Sequence, residues 1–347
     1  MQDCLHLVYA TDANYLFLTR VSLCSAAWMC ATPGNLVFHI LDCGIPDAEW
    51  ERFVGETRAA VGDVAIERHS LDMAQFAGFP KWRGTSMAVY GRLDIPRILP
   101  NLDWCVYADA DTLFTDDPLK LLALRDPDAA MLGQLGTQPY QHFGKWYDKH
   151  HIEQDWTHYV CSGFLLINLA WFRAHDVTAR CLDLIRTYPD IPCVDETVLN
   201  LACAGHVKGL PHEWGIFAYL AFEEPRPACI HYLFGIALPT RMRFRWGGGY
   251  LDAAVVWLNF VREVLGVPRT AIRPDIPWWR WLAVRTYCRL TKWLVCAALC
   301  LPRFRRNPRW RELRSRYATR ANARLLSPAF WRVRRFPIRG GTPNKCR

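Results

Sequence analysis

The chain has little of what marks a secreted or membrane-spanning protein. Its 14 cysteines are scattered over 347 residues, with no Cys-x-x-Cys pair and no regular spacing. For a chain of this length that favours reduced, buried thiols in the cytosol over a disulfide framework. The N-terminus has no basic segment followed by an apolar one, so no signal peptide is expected. The uninterrupted apolar run Trp293–Leu301 is too short to cross a bilayer. No internal repeat is visible. Acids are almost missing from one end: residues 278–347 hold 19 Lys/Arg and a single acid, Glu312, for a net +18. The other residues hold 23 bases and 32 acids, for a net −9. The overall +9 therefore averages an acidic body and a very basic tail. An apolar fraction of 51% with 13% aromatics is ample for a core, and the length suits one large domain or a domain plus an appendage.

Along the body, strand patterns alternate with helical ones. His6–Ala10, Asn35–Leu41, Val64–Arg68, Cys105–Ala108, Phe164–Asn168 and Lys208–Leu210 read as strands. Leu16–Met29, a helix capped by Asp47 and running to about Ala60, Met87–Leu99 interrupted by Pro96, and Asp195–Ala204 read as helices. This order implies an α/β fold with a mainly parallel central sheet covered by helices. Gln134–Asp155 is polar and aromatic without a period and is expected to be a long functional loop; His150 and His151 are expected to be solvated within it.

The most informative stretch is Trp104–Phe114. A short apolar run ends in Asp109 and Asp111, separated by Ala110. Open α/β sheets bind ligands outside the carboxyl ends of their strands. Two carboxylates there are hard oxygen ligands suited to Mn²⁺ or Mg²⁺, with a diphosphate completing the coordination. Asp126-Pro127-Asp128 has the same spacing but no preceding strand, and it reads as a solvated turn.

A set of motifs then carries a resemblance. Val8-Tyr9-Ala10-Thr11-Asp12-Ala13-Asn14-Tyr15, Tyr90-Gly91-Arg92-Leu93, the Asp109/Asp111 pair, Ser162–Leu169, Asp195–Asn200 and His231-Tyr232 resemble glycosyltransferase family 8, in the family's order, over roughly residues 5–240. The pattern is similar to bacterial α-galactosyl- and α-glucosyltransferases of lipopolysaccharide or lipooligosaccharide synthesis, a likeness strengthened by Phe76-Ala77-Gly78-Phe79-Pro80 and the basic tail. The resemblance implies a GT-A type domain over 1–277, a UDP-hexose donor (galactose or glucose), Mn²⁺ and retention of anomeric configuration. It implies that Ala10, Thr11, Asp12, Asn14 and Tyr15 meet the nucleotide, and that Asp109, Asp111 and His231 hold the metal. Ala110, Gly235 and Arg92 would line the donor, and Asp195 and Glu196 would join Arg92 in catalysis.

The residues also admit plainer roles. Asp12 and Asn14 suit an Asx turn capping the next helix. Arg92 suits an ion pair with Asp94 or another acid. Asp195 suits a helix N-cap. Three departures stand out: the family lysine beyond the histidine aligns with Leu238, leaving Arg241 or Arg243 to meet the diphosphate; Cys161 stands where Asn is frequent; and Glu196 stands where relatives often carry glutamine.

In the tail, residues 278–347, the bases Arg285, Arg289 and Lys292 fall on one helical face among Trp, Leu and Val. A basic amphipathic helix with tryptophans suits an anionic headgroup layer. The expectation is a peripheral enzyme on the cytoplasmic face of the cell membrane that extends a membrane-linked glycan. Two other classes remain open: a non-catalytic nucleotide-sugar-binding protein, and a nucleic-acid-binding protein working through the tail.

Overall fold

The computed structural model describes residues 4–81, 86–136, 139–218, 226–232 and 248–268, with Ala271, Thr286, Leu290, Ala297 and Leu301 as isolated positions. The chain divides into two units, 1–216 with 226–231, and 217–225 with 232–347. The basic face and most of the tail lie outside the described residues. In the second unit the described structure is mainly one helix, Gly248–Glu263. No described helix is long and apolar enough to cross a membrane.

The first unit is built on a seven-stranded sheet in the order β3-β2-β1-β4-β7-β6-β8. The strands are β1 (Leu5–Thr11), β2 (Leu36–Asp42), β3 (Ala65–Ser70), β4 (Trp104–Ala108), β6 (Met131–Leu135), β7 (Val160–Asn168) and β8 (Val207–Gly209). Side chains alternate between its faces. Leu5, Leu7 and Tyr9 of β1 pack with Leu16, Leu23 and Ala26 of helix α1 (Leu16–Met29). Val8 joins Tyr90, Leu93 and Val198 on the other face. Such strands, apolar on both sides, form because helices cover both faces of the sheet. Small residues let α1 sit close, and Ser22 within it hydrogen-bonds the hydroxyls of Tyr9 and Thr112.

The expected alternation holds, and all ten described cysteines are free. Four details differ. First, β1, β2, β3 and β4 are mutually parallel, but β7 runs antiparallel to both β4 and β6. Second, the expected loop Gln134–Asp155 contains a helix, α4 (Pro139–Lys149); Pro139 starts it, and Trp146 and Tyr147 bury its inner face. His150 lies in the turn after this helix and is partly covered, its ring 4.7 Å from that of Trp146 and 5.0 Å from that of Tyr188, while His151 is exposed. Third, Pro46 rather than Asp47 caps α2 (Asp47–Val61), and Asp47 instead takes an ion pair from Arg68 at 2.7 Å. Fourth, Met87–Asp94 is a 3₁₀ helix that passes into the short α3 (Ile95–Ile98), where Pro96 occupies the first turn and breaks no hydrogen bond. The Asp126-Pro127-Asp128 segment is a turn as expected, with Asp126 accepting from the Asp128 N–H and pairing with Lys208.

After β7 come α5 (Leu169–Ala174), α6 (Val177–Thr187) and α7 (Val194–Ala202). Asn200 fastens α7 to the start of β7. Its amide accepts from Val160 N–H at 2.9 Å and donates to Val160 C=O at 2.9 Å and Glu196 C=O at 2.8 Å. The side chain is fully buried, so truncation leaves buried backbone groups unpaired. Asn200→Ala is expected to lower unfolding free energy by about 2–4 kcal/mol, and Asn35→Ala, whose bond is exposed, by less than about 0.5 kcal/mol. Equal urea midpoints for the two variants would refute this role.

Candidate functional site

The site lies at the carboxyl end of β4. The chain leaves the sheet at Asp109, turns through Ala110 and Asp111, and enters β5 (Thr112–Phe114). β5 belongs to a second sheet of order β5-β10-β9, with β9 at Ile216–Phe217 and β10 at Cys229–His231. The antiparallel register sets His231 opposite Thr112. That pairing delivers the imidazole to the carboxylates from more than 100 residues away. Nε2 of His231 lies 3.3 Å from Asp111 Oδ1 and 3.7 Å from Asp109 Oδ2. The three side chains can each direct one ligand atom at a common point. Asp109 and Asp111 remain 30% and 21% exposed, so the site is open to solvent, while His231 is buried at 4%.

Gly163 makes room for this cluster. A Cβ there would fall 2.2 Å from His231 Cε1 and 2.6 Å from Asp109 Oδ2. The two carboxylates are hard oxygen donors that suit Mn²⁺ or Mg²⁺, and the imidazole nitrogen favours the transition ion of the two. The residues present therefore fit the expected metal.

Behind the cluster sits Arg92, which the 3₁₀ helix buries to 2% exposure. Gly91 lets that helix approach β1, where a Cβ would lie 3.2 Å from Ala10. The guanidinium donates to Asp109 Oδ1 at 2.8 Å and to the Ser162 carbonyl at 2.5 Å, and it pairs with Asp195 Oδ2 at 3.0 Å. It also lies 4.3 Å above the Tyr107 ring, whose hydroxyl donates to Asp109. The expected ion pair forms with other acids, Asp109 and Asp195, and not with Asp94, which pairs with Arg97.

Asp195 and Glu196 occupy the first turn of α7. Asp195 is not the N-cap; Cys193 is, in the left-handed region at φ 45°. Ser162 binds both acids, through its hydroxyl to Asp195 at 2.8 Å and its N–H to Glu196 at 3.1 Å.

The electrostatics follow from burial. Burial pushes the Asp109 carboxyl up, but Arg92 and His231, with the hydrogen bonds from Tyr107 and Arg92, outweigh it and hold the group below its ordinary value. Burial opposes protonation of His231, yet the Asp111 and Asp109 carboxylates raise its pKa. Asp195 is raised by burial, with Arg92 opposing and Asp109 adding to the rise. Glu196 is pushed up to about 7 by burial and by Asp195, only partly offset by Ser162 and the Cys161 thiol.

At the end of β1, Asp12 forms the expected Asx turn, accepting from Asn14 N–H at 2.9 Å and Tyr15 N–H at 3.2 Å. Its other oxygen accepts from Ser86. Asn14 is exposed and Tyr15 half-buried. Continuing the β1–β4 register, Leu7 on Val106 and Val8 on Tyr107, sets Ala10 level with Asp109. Thr11 is buried against Thr19. Gly235 and Arg241, with Leu238 and Arg243, lie outside the described residues. Tyr107, Ser162, Gly163 and Ser86 are members of the site to which sequence reasoning gave no role. The signal for Tyr107 was its position two residues before Asp109, on the same strand face.

A family profile described as "Glycosyl transferase family 8" matches residues 6–233. The chain belongs to glycosyl transferase family 8. It is 27% identical over 210 residues to the lipopolysaccharide glucosyltransferase WaaO of Escherichia coli K12, covering 58% of this chain and 60% of that protein. It is 25% identical over 222 residues to a protein of Haemophilus influenzae named "Putative glycosyltransferase", covering 59% and 61%. The chain thus spans about three-fifths of these relatives. Among solved structures, the galactosyltransferase LgtC in complex with donor and acceptor sugar analogues superposes with a TM-score of 0.60 at 25% identity, over 76% of this chain and 98% of that one. These GT-A neighbours carry the fold expected from the sequence.

The raised Glu196 gives this family 8 member a testable pH signature. Its folded pKa of about 7 exceeds the ordinary 4.5, so the folded state holds the extra proton between those values. Its contribution to stability is present below pH 4.5 and lost as pH rises through about 7. Glu196→Gln lacks that loss. Its stability relative to wild type, measured by urea unfolding in EDTA, should rise by on the order of 3 kcal/mol across this window. A pH-independent difference would show that Glu196 is not held neutral.

Proposed function

We propose that the protein is a retaining transferase that moves galactose or glucose from a UDP-hexose to a membrane-linked glycan such as a lipopolysaccharide core. The observation that carries this reading is the convergence of Asp109, Asp111 and His231 beside the Arg92–Asp195–Ser162–Glu196 cluster at the carboxyl end of β4. Family membership and the likeness to WaaO and LgtC support it. Mn²⁺, or Mg²⁺ in its place, bound by Asp109, Asp111 and His231 would supply neutralising charge to the departing diphosphate.

The other roles belong to the chain itself. The end of β1, with Ala10, Thr11, Asp12, Asn14 and Tyr15, would take the nucleotide. Arg92 holds Asp109 ionised and Asp195 in place. Asp195 is tied by both Arg92 and the Ser162 hydroxyl, so it orients sugar hydroxyls and faces positive charge developing at the anomeric carbon. Glu196, protonated for much of the time near neutrality, is a poor nucleophile. Retention then proceeds by attack on the face that the leaving group vacates, not through a glycosyl-enzyme. Full engagement of Cys161 and Glu196 in this network weighs against a decayed, merely sugar-binding protein.

Asp109→Asn and Asp111→Asn should abolish both transfer and Mn²⁺-dependent hydrolysis of UDP-sugar, while Asp126→Asn and Asp128→Asn should leave both intact. His231→Ala should weaken Mn²⁺ activation most. Glu196→Gln should keep measurable transfer with retention. Screening UDP-glucose and UDP-galactose for Mn²⁺-dependent hydrolysis identifies the donor, and no hydrolysis of either would reject the enzyme reading. A sugar trapped on Glu196 in mass spectrometry would reject the front-face route.

The tail, residues 278–347, is proposed to hold the enzyme on the cytoplasmic face of the membrane, its +18 charge drawn to anionic lipid that repels the −9 body. Full-length protein should float with anionic liposomes, less so at high salt but never completely lost, because tryptophans and leucines add an apolar contribution. Reversing Arg285, Arg289 and Lys292 to glutamate should weaken this binding by at least about tenfold, at roughly 1 kcal/mol per base removed. Binding unchanged by the reversal and by salt would remove the tail from this role. Tight RNA binding at physiological salt would favour the nucleic-acid alternative.

A further inference from the structure

A second cluster of ligand-bearing side chains lies on β1, β2 and β3, apart from the carboxylates of β4. In the β2–β3 register His39 stands opposite Glu67, and His69 follows Glu67 by two residues on the same face. In the β1–β2 register Val8 stands opposite His39, which puts His6 on that face too. The four side chains thus cross three parallel strands in one diagonal. They meet in the structure. His39 Nδ1 lies 3.0 Å from His69 Nε2 and 3.1 Å from Glu67 Oε2, and His69 Nε2 lies 3.6 Å from that same oxygen. His39 Nε2 faces His6 Nδ1 at 2.9 Å.

We propose that His39, Glu67 and His69 form a Zn²⁺ site, with His6 as the positioning residue that orients His39. Zinc holds imidazole nitrogen and carboxylate oxygen at about 2.0–2.2 Å in a tetrahedron, which sets neighbouring ligand atoms about 3.3–3.5 Å apart. The observed triangle of 3.0, 3.1 and 3.6 Å is close to that spacing before any ion enters. Two imidazoles and one carboxylate leave the fourth position to water, and this donor set suits zinc better than magnesium or calcium.

The proton arrangement also fits. With Nδ1 of His39 on the metal, its Nε2 carries the hydrogen and donates to His6 Nδ1, the kind of outer bond that fixes a ligand's tautomer. Burial, reinforced by the neighbouring rings, pushes His39 down to about 3, and burial also lowers His6 and His69. All three rings are therefore neutral, with lone pairs available, at physiological pH. His39 is 3% exposed between Phe38 and Ile40, a place where a β-branched residue would pack without needing polar partners. Glu67 at 54% and His69 at 22% leave the triangle open to an entering ion. The edge strand β3 carries two of the ligands, so a bound ion would clip it to β2.

The test uses the full chain carrying Asp109→Asn and Asp111→Asn, which removes the first cluster from the count. After EDTA treatment and dialysis, Zn²⁺ is titrated in competition with a chromophoric chelator. The expected result is one Zn²⁺ per chain with a Kd below about 1 μM, and a rise in thermal midpoint with added zinc. His69→Ala and Glu67→Gln should each weaken binding by at least about tenfold, and His6→Ala by about tenfold through loss of orientation. X-ray absorption should show only nitrogen and oxygen neighbours at about 2.0–2.1 Å. His39→Ala risks the fold, so the exposed His69 and Glu67 carry the test. Each variant should also keep wild-type rates of UDP-sugar hydrolysis when made without the aspartate changes. Zinc binding weaker than about 100 μM, or binding untouched by His69→Ala and Glu67→Gln, would overturn the proposal.

Discussion

The site depends on one buried cation. Asp109 and Asp195 both pair with a single fully buried guanidinium, with Asp111 beside His231 and Glu196 next along α7. Burying ionised carboxylates without compensation drives them to take up protons instead. Arg92 opposes this at the two acids it touches, and with His231 it prevails at Asp109, which must stay ionised to serve as a ligand, while burial still raises Asp195. The choice of arginine follows from its planar fork, which reaches Asp109, Asp195 and the Ser162 carbonyl at once while its flat face rests on Tyr107. A lysine point charge has no such face and too few fixed directions. Protonation differs across the cluster, low at Asp109, where Arg92, His231 and the Tyr107 hydroxyl act together, and raised at Asp195 and Glu196, where burial prevails.

Glu196 and Cys161 show how a departure from a family pattern is absorbed. Relatives often place two amides at these positions. Here a thiol lies against a carboxyl, and the carboxyl is pushed up to about 7. A buried glutamic acid in its neutral form has nearly the shape of glutamine and one acceptor in the same place. Ser162 N–H supplies the donor that either side chain would use. The surroundings thus keep much of this carboxyl in its neutral form near neutral pH.

Much of the fold was legible because doubly buried strands are short apolar runs and α1 is an unbroken stretch of small and apolar residues. What was not legible has physical reasons. A strand buried on both faces carries no mark of its direction, so the reversal of β7 could not be read from Phe164–Asn168. α4 was missed although Tyr140, Phe143 and Tyr147 fall at i, i+3 and i+7, the helical spacing, because polar residues and Gly144 between them read as loop. In the site, Asp109 and Asp111 announced themselves at the end of an apolar run. His231 was found only through resemblance, since a lone histidine 120 residues later has no local signal that β10 will pair with β5. Tyr107 passed as an ordinary strand residue and Ser162 was noted only within a family motif, while the His6–His39–His69 diagonal was invisible because it exists only once three strands are in register.

The reversal of β7 is also what makes the site possible. β4 pairs with β7 so that Ala108 faces Phe164, and Asp109 N–H donates to the Gly163 carbonyl at 2.8 Å. Because β7 is antiparallel, its beginning, not its end, lies beside the carboxyl end of β4. That beginning carries Cys161, Ser162 and Gly163, which respectively touch Glu196, bind both acids of α7 and leave space for His231. A parallel β7 would have brought Ile167 and Asn168 to this edge instead, one apolar and the other already engaged as the cap of α5. The acids of α7 would then have had no serine hydroxyl to bind. Strand direction, which the hydrophobic pattern does not encode, thus decides which polar residues meet at this end of the sheet.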